Sequence, residues 1–158
     1  AVGVVVNHAT GERFVGVRGG GAERDGVPIR PSGATRLADS VIGVSGLPSH
    51  HFGWAQFRAL GASAPDITAV ASGVLDGWCD MHDDGHGVWD YLASVVIIEA
   101  AGGVAAEVFG RDLVIRGAKE RLAPIMMTMS RGSKSRKRSF TSSRTSAKRR
   151  SAGRTCYS

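Results

Sequence analysis

Cysteine is scarce in this sequence: Cys79 and Cys156 are the only two, far apart and in unlike surroundings. That excludes a disulfide scaffold, which needs dense and even cysteine spacing, and it excludes a paired-cysteine zinc motif. A reducing, cytoplasmic setting is the expectation. No stretch approaches the roughly 20 apolar residues of a membrane helix, and the first residues lack the regions of a signal peptide. No membrane partner is expected. Acidic residues are missing altogether from 131–158, where ten Lys and Arg stand among Ser and Thr. Aliphatic side chains are nearly missing there too, so this stretch cannot bury enough surface to offset chain entropy and is expected to be disordered.

What remains is 158 residues, 42% of them hydrophobic, enough for one compact domain. The formal net charge of +6 belongs to the end of the chain, because residues 1–130 hold ten Lys and Arg against fourteen Asp and Glu, a balance of −4. The chain therefore divides into a mildly acidic lobe, 1–130, and a basic Ser/Arg-rich tail, 131–158. The lobe advertises no polyanion partner. Nucleic acid enters only through the tail, where Arg136-Lys137-Arg138 and Lys148-Arg149-Arg150 would meet phosphates in a salt-dependent way.

Val2 to Val6 reads as a buried strand and Glu12 to Val17 as its hairpin partner, with Asn7 and Gly11 suiting the reversal. Gly19-Gly20-Gly21 reads as a flexible turn, since it lacks the Lys-Ser/Thr ending of a nucleotide loop. A short strand at Val27 to Arg30 and another at Val41 to Val44 follow. From Ser63 the spacing turns helical: Pro65 suits a first turn, Ile67, Val70 and Ala71 share a face, and Gly73 stops it. Leu75 to Cys79 returns to strand character. Trp89 to Ala101 reads as a helix that Gly102-Gly103 ends. Val104 to Val108, Leu113 to Ile115 around a Gly110-Arg111-Asp112 turn, and Ala123 to Met127 are the remaining strands. Such alternation favours an α/β (α+β layered) domain.

Two segments carry a signature. Arg58-Ala59-Leu60-Gly61-Ala62-Ser63-Ala64-Pro65-Asp66, continuing to Ala71-Ser72-Gly73-Val74-Leu75-Asp76-Gly77, is the first. Val88-Trp89-Asp90-Tyr91, continuing to Glu99-Ala100-Ala101-Gly102-Gly103, is the second. They resemble the C-terminal motifs of the inositol monophosphatase family, and Gly3 to Asn7 with Gly19 to Ile29 resembles its central hairpin region, so the resemblance covers about residues 1–125. It implies the C-terminal half of an αβαβα sandwich, a mixed sheet with flanking helices, Mg²⁺ as cofactor, and a small-molecule phosphate ester of inositol or a related polyol as substrate. In that chemistry carboxylates hold the metals, because Mg²⁺ is a hard ion that takes oxygen ligands.

By motif position the resemblance makes Asp90 a metal ligand; capping the following helix is the alternative role for a carboxylate there. Gly61, Ala62 and Ser63 match the loop whose backbone faces the substrate's hydroxyls, against readings of Gly61 as a turn residue and Ser63 as a helix cap. Asp80 falls near the family's substrate-contacting acidic position, although the loop Met81 to Gly87 is longer than the family pattern.

The family's Asp-Pro-x-Asp-Gly-Thr segment and its upstream Glu, which supply most of the metal ligands, are absent from this sequence. The expectation is a truncated chain that is inactive alone. A competing reading is a non-catalytic lobe whose basic tail binds nucleic acid or an acidic surface; another is homo-oligomerisation through an apolar face. The abrupt change of composition past Pro124 also fits a shifted reading frame. His82, Asp83, Asp84 and His86 read as a polar connector, because their spacing matches no zinc pattern and nothing aims them together. His50-His51 reads the same way. Met126, Met127 and Met129 read as gap-filling apolar residues.

Overall fold

A computed structural model describes residues 1–82, 85–107 and 125–128. The readings placed on Asp83, Asp84, Val108, the Gly110-Arg111-Asp112 turn, Leu113 to Ile115, Met129 and 131–158 lie outside them.

Strands β1 (Val2–Val6) and β2 (Arg13–Val17) form the expected antiparallel hairpin. Its reversal is closed by Gly11 N donating to Asn7 O at 2.7 Å, with Gly11 at φ +78. The expectation of a buried β1 holds for one face only: Gly3 and Val5 are covered while Val2, Val4 and Val6 are exposed. An uninterrupted apolar run hides which face meets the core, because side chains alternate sides of a strand. The glycine run is not all turn. Gly21 opens β3 (Gly21–Arg24), which pairs with β2, and β4 (Val27–Pro28) completes a four-stranded antiparallel sheet.

The second sheet is mixed. It contains β5 (Val41–Ser45), β6 (Gln56–Arg58), β7 (Gly77–Asp80), β8 (Val104–Glu107) and β9 (Ile125–Thr128), in the order β6-β5-β7-β9-β8. β5 runs parallel to both β6 and β7, while β9 is antiparallel to both of its neighbours. Three exposed residues make up β6, too short and too solvated to leave a pattern.

Two helices lie between the sheets. α2 (Leu92–Ala100) packs on β1 and β2, α1 (Ser63–Ala71) packs on β7 and β5, and the helices pack on each other. Trp78, Tyr91, Ile67, Val70, Ile97 and Ile98 are almost wholly buried at this junction. This sheet–helix–sheet arrangement is the layered α/β class expected. Both helices stop as Gly73 and Gly102 predict. Gly73 N donates to Val70 O and Val74 N to Ala69 O; Gly102 N donates to Glu99 O and Gly103 N to Ile98 O. Each pair is a Schellman closure around a left-handed glycine, at φ +76 and φ +90. α2 starts later than expected, since Val88–Asp90 forms a separate 3₁₀ turn before it. Among the described residues no helix is long and apolar enough to cross a membrane.

Candidate functional site

Because β5 and β7 are parallel, their carboxyl ends finish side by side, with Ser45 and Asp80 as register partners. In open α/β sheets ligand sites gather at that edge. The Asp80 carboxylate is 2% exposed. Its Oδ1 accepts from the backbone N of His82 at 3.0 Å and lies 3.0 Å from that residue's Nδ1. His86 then returns over the edge: its Nε2 is 2.8 Å from Ser45 Oγ and 3.8 Å from Asp80 Oδ1, and its Nδ1 is 3.9 Å from Asp90 Oδ2. The imidazole of His86 thus stands between the two carboxylates. Buried Trp78 backs it, with ring centroids 6.0 Å apart and planes at 30°.

The expectation that nothing aims these side chains together is corrected for His82 and His86. Asp80, His82 and His86 each bring one ligand atom within 4.8 Å of the others. Linear spacing hid this, because the ligands converge through a strand end and a returning loop and not through a fixed helical period. Ser45 was missed as well; its position directly after an apolar strand was the available signal. For His50 and His51 the structure offers local contacts instead: the His50 ring lies 4.0 Å from that of Phe52 with the planes tilted by 35°, and His51 Nδ1 accepts from Gly53 N.

Asp90 lies in the 3₁₀ turn, and α2 has Tyr91 at its N-cap with no side-chain capping bond, so the capping role is not the one Asp90 fills. Its side chain is 41% exposed, and the basic group that approaches it among the described residues, His86 Nδ1, stands 3.9 Å away. An unengaged oxygen pair of this kind fits a hard cation. One carboxylate covers only part of an octahedral shell.

Gly61 and Ala62 are exposed, and the space beside the Gly61 Cα, at φ +91, is open. Ser63 is buried as the first residue of α1, and Ala62, not Ser63, occupies the cap position. Ser94 Oγ donates to Ala64 O at 3.2 Å. Ser94 stands one turn beyond Asp90, so this bond ties the 61–63 loop to the start of α2 at a shared end.

Behind the edge the chain buries polarity. Asp66 is 1% exposed, and burial raises its pKa to about 6, partly opposed by the nearby Trp78 indole. Trp78 Nε1 and Asp66 Oδ1 nonetheless fall outside hydrogen-bond geometry, which leaves the burial effect dominant. Burial, then the neighbouring Asp80 charge, pushes the Cys79 thiol up to about 11, so it stays protonated and offers neither a nucleophile nor a thiolate ligand at neutral pH.

The inositol monophosphatase family model matches residues 1–138. An inositol-1-monophosphatase, ImpA, of Mycolicibacterium smegmatis is 32% identical over 118 residues, covering 64% of this chain and 42% of its own. An inositol-1-monophosphatase of Mesorhizobium japonicum is 32% identical over 132 residues, 73% of this chain and 48% of its own. The Nus factor SuhB of Escherichia coli is 30% identical over 69% of this chain and 45% of its own. Among solved structures, an inositol monophosphatase from Anabaena superposes with TM-score 0.69 at 26% identity, over 82% of this chain and 54% of that one. The chain spans about half the length of the curated relatives it matches.

Proposed function

Since the chain belongs to the inositol monophosphatase family, we propose that it carries part of the site of a Mg²⁺-dependent phosphomonoesterase acting on inositol or a related polyol phosphate. The observation that supports this reading is the meeting of Asp80, His86 and Asp90 at the carboxyl edge of two parallel strands.

In this reading Asp90 supplies one carboxylate to the cation. A Mg²⁺ ion held there would supply neutralisation of phosphoryl oxygens and a lowered pKa of bound water. The chain's own residues do the positioning. The exposed backbone at Gly61 and Ala62, with Ser63 opening α1, faces the substrate's hydroxyls. Asp80 keeps Oδ1 for the imidazoles and turns Oδ2 to a hydroxyl. His86 spaces the Asp80 and Asp90 carboxylates and limits their mutual repulsion.

One carboxylate leaves the cation short of ligands, so the chain alone binds substrate and metal weakly and does not turn over. Calorimetry with inositol 1-phosphate and Mg²⁺, paired with a phosphate-release assay, tests both parts. The expected result is weak Mg²⁺-dependent binding that Asp90→Asn abolishes, with phosphate release at background. Ordinary turnover by the chain would overturn the incomplete site, and Mg²⁺ binding indifferent to Asp90→Asn would overturn the assignment of the ligand.

A further inference from the structure

Asp80 is a buried carboxylate, and among the described residues neither Lys nor Arg pairs with it; the groups that approach its Oδ1 are the His82 backbone N–H and two imidazoles. A charge taken out of water needs a compensating partner. From this geometry we infer that Asp80, His82 and His86 form a site for a borderline transition-metal cation, Zn²⁺ foremost, distinct from the hard cation assigned to Asp90.

Donor chemistry separates the two. Imidazole nitrogen suits zinc and its first-row neighbours, whereas Mg²⁺ takes oxygen and parts reluctantly with water. A site with two imidazoles and one carboxylate is therefore mismatched to Mg²⁺ and matched to Zn²⁺.

Distances agree. Zinc bonds of about 2.0–2.2 Å to nitrogen and oxygen, set at tetrahedral angles, put two ligand atoms on one ion about 3.3–3.6 Å apart. Asp80 Oδ1 lies 3.0 Å from His82 Nδ1 and 3.8 Å from His86 Nε2. All three ligand atoms lie within 4.8 Å, so closure onto an ion asks for a shift of up to about 1.5 Å. The His82 side chain is 52% exposed and free to make it. Room for that ring exists because residue 46 is glycine: a Cβ there would stand 3.1 Å from the His82 imidazole.

A ligating histidine is oriented by what its second nitrogen meets, most often a carboxylate. His86 turns Nε2 toward Asp80 and Nδ1 toward the Asp90 carboxylate at 3.9 Å, while Trp78 supports the ring plane. On metal binding Nε2 exchanges its Ser45 hydroxyl for the ion. Three protein ligands leave a fourth position for water or an anionic oxygen. These ligands hold zinc whether or not the chain hydrolyses a phosphate ester.

The test uses the full chain with Cys156→Ser to remove the tail thiol, freed of metal by chelation. It is titrated with Zn²⁺ by calorimetry and with Co²⁺ by visible absorption, in the presence of excess Mg²⁺. The expected result is one equivalent bound, a four-coordinate Co²⁺ spectrum, and weakening of about tenfold or more in His82→Ala and in His86→Ala. The His50→Ala/His51→Ala variant keeps full affinity. Zn²⁺ should also shift the Cε1 proton resonances of His82 and His86 in the parent chain, a reading that needs no substitution to fold. Absence of binding, binding indifferent to His82 and His86, or binding lost with His50 and His51 overturns the site. Competition by Mg²⁺ at the same ligands would overturn its separation from Asp90.

Discussion

Gly3 and Gly16 face one another across the β1–β2 ladder, and helix α2 rests on the pair. A Cβ on Gly3 would collide with the Ala93 carbonyl oxygen, and one on Gly16 would lie 2.5 Å from the Ile97 Cα. The obstacles are backbone atoms, which cannot swing aside as a side-chain tip can. The two glycines thus set how closely α2 approaches the sheet, and through α2 they set where Asp90 and Ser94 stand.

Gly16→Ala should therefore destabilise the fold by about 1–3 kcal/mol, the usual cost of overpacking a close contact. Gly33, beside which there is open space and whose φ is not positive, provides the control. Urea melts should separate the two variants. Equal midpoints would mean that α2 does not depend on the glycine pair.

Asp76 reaches both ways from just before β7: Oδ2 accepts from Val41 N at 2.7 Å and Oδ1 from Ser32 Oγ at 2.6 Å. It anchors the start of β5, the strand that ends at Ser45. Asp76→Ala strands a backbone donor and a hydroxyl, and should lower stability by about 1–3 kcal/mol. Asp76→Asn, which keeps an acceptor for Val41, should lose less. Thermal melts that rank the two variants in the opposite order would remove the anchoring role.

Asp66 makes stability depend on pH in an uncommon direction for a carboxylate. Its folded pKa of about 6 exceeds the ordinary carboxyl value of 3.8, so the folded chain holds the proton more tightly than the unfolded chain. Stability is then greatest below the unfolded pKa, falls as pH rises through the window between the two values, and levels off above the folded one. Allowing for screening by nearby solvent, the integrated loss is about 1–2 kcal/mol. Asp66→Asn, neutral throughout, should melt higher than the parent at neutral pH and match it in acid. A gap between the two that is the same at every pH would mean that ionisation of Asp66 is not the cause.

Much of this fold can be read in the sequence because it is written locally. Gly73 and Gly102 end their helices, and Asn7 with Gly11 turns the first hairpin, each through the conformation that residue type favours. Two classes of feature escaped. Elements held by pairing, such as β6 and the true extent of β3, leave little pattern because no side chain in them is fully buried. The grouping of Ser45, Asp80, His82 and His86 escaped because parallel register across β5 and β7 creates it, and register is a long-range property. Asp90 came from its motif; that its neighbour is His86 came from the return of the loop.

The tail offers the last prediction, which separates a catalytic lobe from a binding module. Residues 131–158 hold ten basic residues and no acidic one, whereas 1–130 carry a balance of −4 from ten Lys and Arg against fourteen Asp and Glu. Counterion release makes affinity for a polyanion fall steeply with salt in proportion to the phosphates neutralised. The full chain should thus be retained on immobilised heparin and elute as salt rises, while a chain ending at residue 130 passes through. Retention of the shortened chain would move polyanion binding onto the lobe. Loss of retention together with unchanged Zn²⁺ and Mg²⁺ binding would assign electrostatics to the tail and metal chemistry to the strand edge, because screened surface charges act only within about 8–10 Å.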